Sequence, residues 1–147
     1  MIFILLFSIL LVDQLSKYTF NRVLYLNQSL PVIKGIFHLT LVHNRGAAFG
    51  VLKDKVPLFI ITSLIAAVLI WLALSKCNKT PQDKICRVAL ILILAGGIGN
   101  LIDRIALGYV VDFLDFRIWP VFNLADSAIT IGAILLGYVI LKSSGGN

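Results

Sequence analysis

Three stretches of the chain run almost without polar interruption: Val56–Leu74, Ile85–Leu107 and Val121–Leu141. Each is close to the roughly 20 apolar residues that a membrane-crossing helix needs. Pro57 falls in the first turn of the first stretch, where its missing N–H is no loss. A fourth apolar run opens the chain, but it is clean only over Ile2–Val12. To cross a bilayer it must continue through DQLSKYTFNRVL to residue 24, taking Asp13, Gln14 and Lys17 with it. A charge at mid-bilayer costs at least ~2.5 kcal/mol. Asp13 and Lys17 stand at i and i+4, so they can pair and reduce that cost. The plain expectation is a structural polar pair tying this helix to its neighbours. A secretory signal peptide is the competing reading of the N-terminal run. It is disfavoured because no basic segment precedes the run and no small-residue cleavage site follows it.

The pattern predicts a single membrane domain over 1–147, with spans at 2–24, 56–74, 85–107 and 121–141. Two loops, 25–55 and 108–120, share one side. The first is too long for a simple connector. Within it IFHLTLVH is β-branched, aromatic and partly alternating, which predicts a strand. NRGAAFG then breaks the pattern with residues small enough for close backbone approach. GYVVDF in the second loop is another candidate strand. The fold class expected is an all-α bundle of four transmembrane helices, with a small sheet resting on the ends of the helices.

Composition excludes a soluble alternative. Apolar residues make up 59% of the chain and mean hydropathy is +0.98, well above the 45–50% apolar content usual for soluble domains. The net charge of +6 raises the question of nucleic acid. The basic residues are scattered, however, and form no stripe interleaved with aromatics. Juxtamembrane contacts with anionic lipid explain them better. Lys76, Lys79, Lys84 and Arg87 crowd the loop between the second and third spans, and Lys142 ends the fourth. Loop 108–120 has only Arg117. This asymmetry favours both termini in the cytoplasm, although Lys34, Arg45, Lys53 and Lys55 in the first loop weaken the contrast. Cys77 and Cys86 fit no zinc or redox spacing and read as reduced thiols. No span shows a heptad seam that would demand a partner, which points to a monomer.

The chain contains no Glu, so each of its seven acids is an Asp. Three of them, Asp112, Asp115 and Asp126, fall within fifteen positions at the edge of the last span. Asp115 and Arg117 read as a solvated pair. Asp126 stands three residues after Asn123, the arrangement of a capping box, and that structural role accounts for it as well as a chemical one does. Asp112 interrupts a strand-like run and is harder to dismiss. In the third span Gly96, Gly97 and Gly99 would admit a neighbouring helix. Asn100, Asp103 and Arg104 share one helix face at i, i+3 and i+4, as interface polar contacts or as the lining of a pocket.

Asp112 and Asp126 lie on the same membrane side, with thirteen residues between them, so the chain can fold back and bring them together. Two carboxylates in contact share a proton near neutral pH. One can then act on water as a base while the other polarises a carbonyl as an acid, with no metal. Other chemistries find less support. There is no G-x-S-x-G elbow, no H-E-x-x-H around His38 or His43, and GGIGN lacks the lysine of a phosphate loop. An intramembrane aspartyl hydrolase stays open beside a small transporter, a proton path through Asp13, Asp103 and Asp126, or a structural subunit.

Five blocks in order resemble the lipoprotein signal peptidase (signal peptidase II) family of bacterial aspartyl membrane peptidases. They are DQLSK (13–17), NRGAAFG (44–50), GGIGNLIDR (96–104), VVDF (110–113) and FNLADSAI (122–129). The resemblance implies Asp112 and Asp126 as the catalytic pair, the two that the spacing argument favours. It implies substrate-binding or supporting roles for Asn44, Gly46, Asn100, Asp103, Arg104 and Asn123. For Asp13 and Lys17 it implies a largely structural role. It further implies an extracytoplasmic β-cradle and a short surface helix near Ala47–Lys53. No cofactor is implied. The implied reaction is hydrolysis of the bond preceding the diacylglyceryl-modified Cys of a prolipoprotein, at the outer face of the bacterial cytoplasmic membrane. The implied partners are lipid-modified prolipoprotein signal peptides, membrane lipids and globomycin-type cyclic peptide inhibitors.

Overall fold

The computed structural model describes residues 2–46, 55–77 and 81–144. The elements in chain order are α1 (Ile2–Val23), β1 (Ser29–Ile33), β2 (Phe37–Asn44), α2 (Val56–Lys76), α3 (Pro81–Leu107), β3 (Val110–Asp115) and α4 (Leu124–Ser144). All four helices are long and apolar enough to cross a membrane. The surface helix expected near Ala47–Lys53 lies outside the described residues.

α3 is the central helix. It packs against each of the other three and supplies the buried side chains Leu90, Ile91 and Leu94, which meet Leu74 of α2. In lipid, helices are held by close packing and polar contacts rather than by escape from water, and small residues set the approach here. A Cβ at Gly96 would strike the Ala125 carbonyl of α4, and one at Gly132 would come within 2.6 Å of the Ala89 carbonyl. Gly97 behaves differently. A Cβ there meets nothing, because it faces a groove lined also by Ala66, Ala67 and Ile93. The outward faces carry Phe7, Leu11, Leu69 and Ile134, all exposed, as lipid contact requires.

The strands form one antiparallel sheet in the order β1-β2-β3. β1 escapes the sequence reading because Pro31 interrupts SLPVI. Proline is tolerated on an edge strand, and an edge is where β1 lies. The sheet packs on the end of the bundle through Leu24, Leu41 and Val111, with Phe113 stacked on Phe20 of α1 at 4.3 Å. Gly108, at φ 77°, ends α3 in the left-handed conformation, and its N–H bonds to the Arg104 carbonyl. The chain therefore enters β3 directly.

Two expectations are corrected. α4 begins at Leu124 rather than at Val121. Phe122 is engaged elsewhere: its carbonyl accepts from Phe113 and Leu114, and its N–H donates to the Leu114 carbonyl. Asn123 then caps the helix. Asp115 is not solvated. β3 extends to include it, opposite His38, and the carboxylate is buried with hydrogen bonds from the Thr40 hydroxyl at 2.7 Å and the Arg117 N–H groups at 2.8 and 3.0 Å. Burial alone would raise its pKa. The hydrogen bonds and the Arg117 charge outweigh burial and hold it below the usual carboxylate value.

Candidate active site

Asn123, fully buried, is the hub of the site. Its Oδ1 accepts from the Asp126 N–H at 2.9 Å, and its own N–H donates to Asp126 Oδ2 at 3.3 Å. This is a capping box with Asp in the acidic position. The Asn123 Nδ2 donates to Asp112 Oδ1 at 2.6 Å and to Asn100 Oδ1 at 3.1 Å. Asn100 in turn donates to Asp126 Oδ1 at 2.7 Å. The second oxygen of Asp112 accepts from Asn44 Nδ2 at 2.9 Å, and Asn44 Oδ1 is held by the Gly46 N–H. Strand register explains the last contact, since Asn44 pairs with Val110 and Val42 with Asp112. Asn44 thus lies next to Asp112 across the sheet.

Asp112 and Asp126 both line a cavity of about 240 Å³. Asn44, Asn100 and Arg104 complete its polar side, and the segment Trp119–Phe122 walls it opposite. Burial, and then the charge of Asp126, push the Asp112 carboxyl up to about 7 against the hydrogen bonds from Asn44 and Asn123 and the more distant Lys17 charge. At neutral pH the Asp112 carboxyl is therefore poised to hold or release a proton. Arg104 sits with its guanidinium 5.1 Å from the Phe59 ring of α2 and bonds to the Asn100 carbonyl.

Behind the cavity lies a buried ion cluster. The Lys17 ammonium reaches Asp13 at 2.9 Å, Asp103 at 3.1 Å and Asn100 Oδ1 at 2.9 Å. Asp13 also accepts from the Ala125 N–H at 2.9 Å, one of the amide groups that the first turn of a helix leaves unpaired. α1 therefore caps α4. Asp103 accepts from the Val111 N–H and so ties α3 to β3. It turns away from the cavity that Asn100 and Arg104 line, although the three share a helix face. Gln14 spans the cluster, donating to Asp13, to the Gly99 carbonyl and to Asp103.

Gln14, Phe59 and the Trp119–Phe122 wall carry no signal in their local sequence that would mark them. Gln14 stands out only as a polar residue on an apolar helix. The Trp119–Phe122 wall enters the site because β3 and the hairpin beyond it fold back over α3, whereas Phe59 reaches Arg104 from α2.

The fold and the comparisons define a membrane-embedded, aspartic-type peptidase. Residues 5–142 match the family described as Signal peptidase (SPase) II, and the chain belongs to that family. It is 50% identical over 138 residues to the lipoprotein signal peptidase of Moorella thermoacetica, spanning 93% of this chain and 90% of that protein. It is 48% identical over 136 residues to the lipoprotein signal peptidase of Halothermothrix orenii, spanning 92% of each. Two solved structures described as bacterial membrane enzymes, obtained by the in meso method, superpose with TM-scores of 0.90 and 0.82 at 32% and 34% identity. They cover 99% and 96% of this chain, and 91% and 92% of their own chains.

Proposed function

We propose that the protein is a lipoprotein signal peptidase that hydrolyses the peptide bond preceding the diacylglyceryl-modified Cys of prolipoproteins, with Asp112 and Asp126 as its catalytic dyad. The observation that carries this reading is the bridge at Asn123, whose side chain holds Asp112 and whose backbone N–H meets Asp126 over one cavity. The pair shares one proton. The ionised member takes a proton from water, and the resulting hydroxide attacks the scissile carbonyl. The protonated member gives its proton to the carbonyl oxygen as the tetrahedral intermediate forms. Collapse of that intermediate returns the hydroxyl proton to one carboxylate, and the proton taken from water passes to the leaving amine. The dyad ends as it began, with one proton between the two acids.

Asn44, Asn100 and Arg104 supply donors toward the substrate backbone and the developing oxyanion, with Asn44 held in place by the Gly46 N–H, in a cavity where exclusion of bulk water strengthens each hydrogen bond. The sheet and the dyad sit at the extracytoplasmic face of the cytoplasmic membrane, and both termini lie in the cytoplasm. A lipid-anchored Cys would hold its scissile bond at that depth. The test is purified protein with a diacylglyceryl-modified prolipoprotein, with and without globomycin. The expected result is release of the signal peptide, blocked by the cyclic peptide. An intact substrate would overturn the proposal.

A further inference from the structure

The Lys17 ammonium has three N–H donors and three acceptors, with none to spare. Two of the acceptors are the carboxylates of Asp13 and Asp103, which account for a structural ion cluster. The third is the side-chain oxygen of Asn100, which completes the ammonium and also belongs to a residue that lines the cavity of the two acids. An ammonium cannot accept a hydrogen bond, so the Asn100 amide must present its oxygen to Lys17. The Asn100 NH₂ group must then face Asp126, where it donates at 2.7 Å. Asn123 Nδ2 finds its acceptor on the same oxygen, at 3.1 Å, while also donating to Asp112. Turning the amide over would set donor against donor at Lys17 and at Asn123. It would also set oxygen against oxygen at Asp126.

We propose that Lys17 is a positioning residue for the dyad: by fixing the orientation of the Asn100 amide it sets the direction of the amide hydrogen bonds that reach both Asp126 and Asp112. Lys17 does not line the cavity that holds the two acids; it lines a separate one with Gln14, Asn21 and Asp103. It acts through Asn100 and touches no reacting atom. With the ammonium gone, Asn123 is the one donor left to oppose inversion of the amide, and the inverted amide accepts a hydrogen bond from a protonated Asp126 Oδ1. The proton that the reaction must move is then held in place. The effect falls on turnover rather than on substrate binding.

This inference rests on the peptidase reading, so the purified full-length wild type is assayed first on the lipidated prolipoprotein. Lys17→Met alone would strand two buried carboxylates, so the variant used is Asp13→Asn with Lys17→Met. Lys17, Asp13 and Asp103 together carry a formal charge of −1, and Asp103 alone in this variant carries the same. Each variant is scored per folded fraction from its melting curve in detergent. The expected result is a loss in kcat of at least about 30-fold with KM within about threefold. Asp13→Asn with Lys17→Gln, which restores an N–H donor, should regain at least about fivefold. In an Asn100→Ala background the Asp13/Lys17 substitutions should slow the enzyme no further, because residues acting through one another are not additive. Gln14→Met, which disturbs the same ion cluster without touching the amide chain, should lower Tm and leave kcat within about twofold. An unchanged kcat in the charge-balanced variant, or losses that multiply with Asn100→Ala, would overturn the role of Lys17 alone. A wild type that leaves the substrate intact would overturn the peptidase reading and this inference with it.

Discussion

Asn123 donates to Asp112 across 2.6 Å while its own side-chain oxygen accepts the N–H of Asp126. One residue therefore caps a helix and orients both acids of the proposed dyad. Asn123→Ala should remove both functions. Loss of an N-cap costs about 1 kcal/mol of stability, seen as a lower Tm. Loss of the Asp112 donor should reduce kcat by about 100-fold or more, well beyond what the loss of folded protein explains. Activity measured per folded molecule separates the two effects.

Asp112→Asn and Asp126→Asn should each reduce cleavage by about a thousandfold or more, while both proteins still accumulate in the membrane. Asp115→Asn should keep most of the activity, because its carboxylate faces Thr40 and Arg117 rather than the cavity. A fully active Asp112→Asn on a gel of lipid-modified prolipoprotein would show the dyad to be wrongly assigned.

The raised pKa of Asp112 makes both stability and rate fall with rising pH, in different windows. Its folded value, about 7, lies above the ordinary carboxylate value of about 3.9. Between those two pH values the folded state holds a proton that the unfolded state has released. Stability is therefore lost as pH rises through that window and is level above it. Asp112→Asn removes the penalty, so its Tm relative to wild type should be higher at pH 8 than at pH 4.5. Under the proposed mechanism, cleavage by the wild type should decline above about pH 7, where the pair would lose its shared proton.

Asp115 follows the ordinary sign. Its folded pKa is depressed, so its contribution to stability is complete above the unfolded carboxylate pKa, about 3.9, and is lost as pH falls through the folded value. Asp115→Asn should narrow the drop in Tm of the wild type on acidification below pH 4. Hydrogen exchange in β2 and β3 reports the same loss locally.

Gly99 and Gly97 should respond differently to the same substitution. A Cβ at Gly99 falls 2.6 Å from Asp13 Oδ2. Gly99→Ala should thus push that carboxylate off Lys17 and the Ala125 N–H, lowering Tm and membrane accumulation. Gly97→Ala meets open space and should leave both unchanged.

Much of this arrangement was legible in the chain. Hydrophobic runs locate the helices, because the membrane imposes length and polarity together. IFHLTLVH and GYVVDF locate the two inner strands, where alternation and β-branching agree. β1 was hidden by Pro31, since edge placement is decided by the neighbouring strand and not by local preference. The spacing of Asp112 and Asp126 pointed to a pair because the hairpin between them is short. The burial of Asp115 was not readable, because it depends on Thr40 of a strand 75 positions away. Asp103 shares a helix face with Asn100 and Arg104, yet it points to α1 and β3. A helical face is broad enough to serve two neighbours, and periodicity does not say which residue meets which.

The backbone pairing of Leu114 with Phe122 closes the hairpin at its base, while Ile118 at its tip is 94% exposed. Length is therefore free at one end and fixed at the other. Residues added beside Ile118 would enlarge the tip and leave the separation of the two acids untouched. One residue inserted between Asn123 and Asp126 would carry the second acid about 100° around α4, away from the first. Variation in the size of this segment belongs at its crest, where a longer loop could be carried at no cost to the chemistry beneath it.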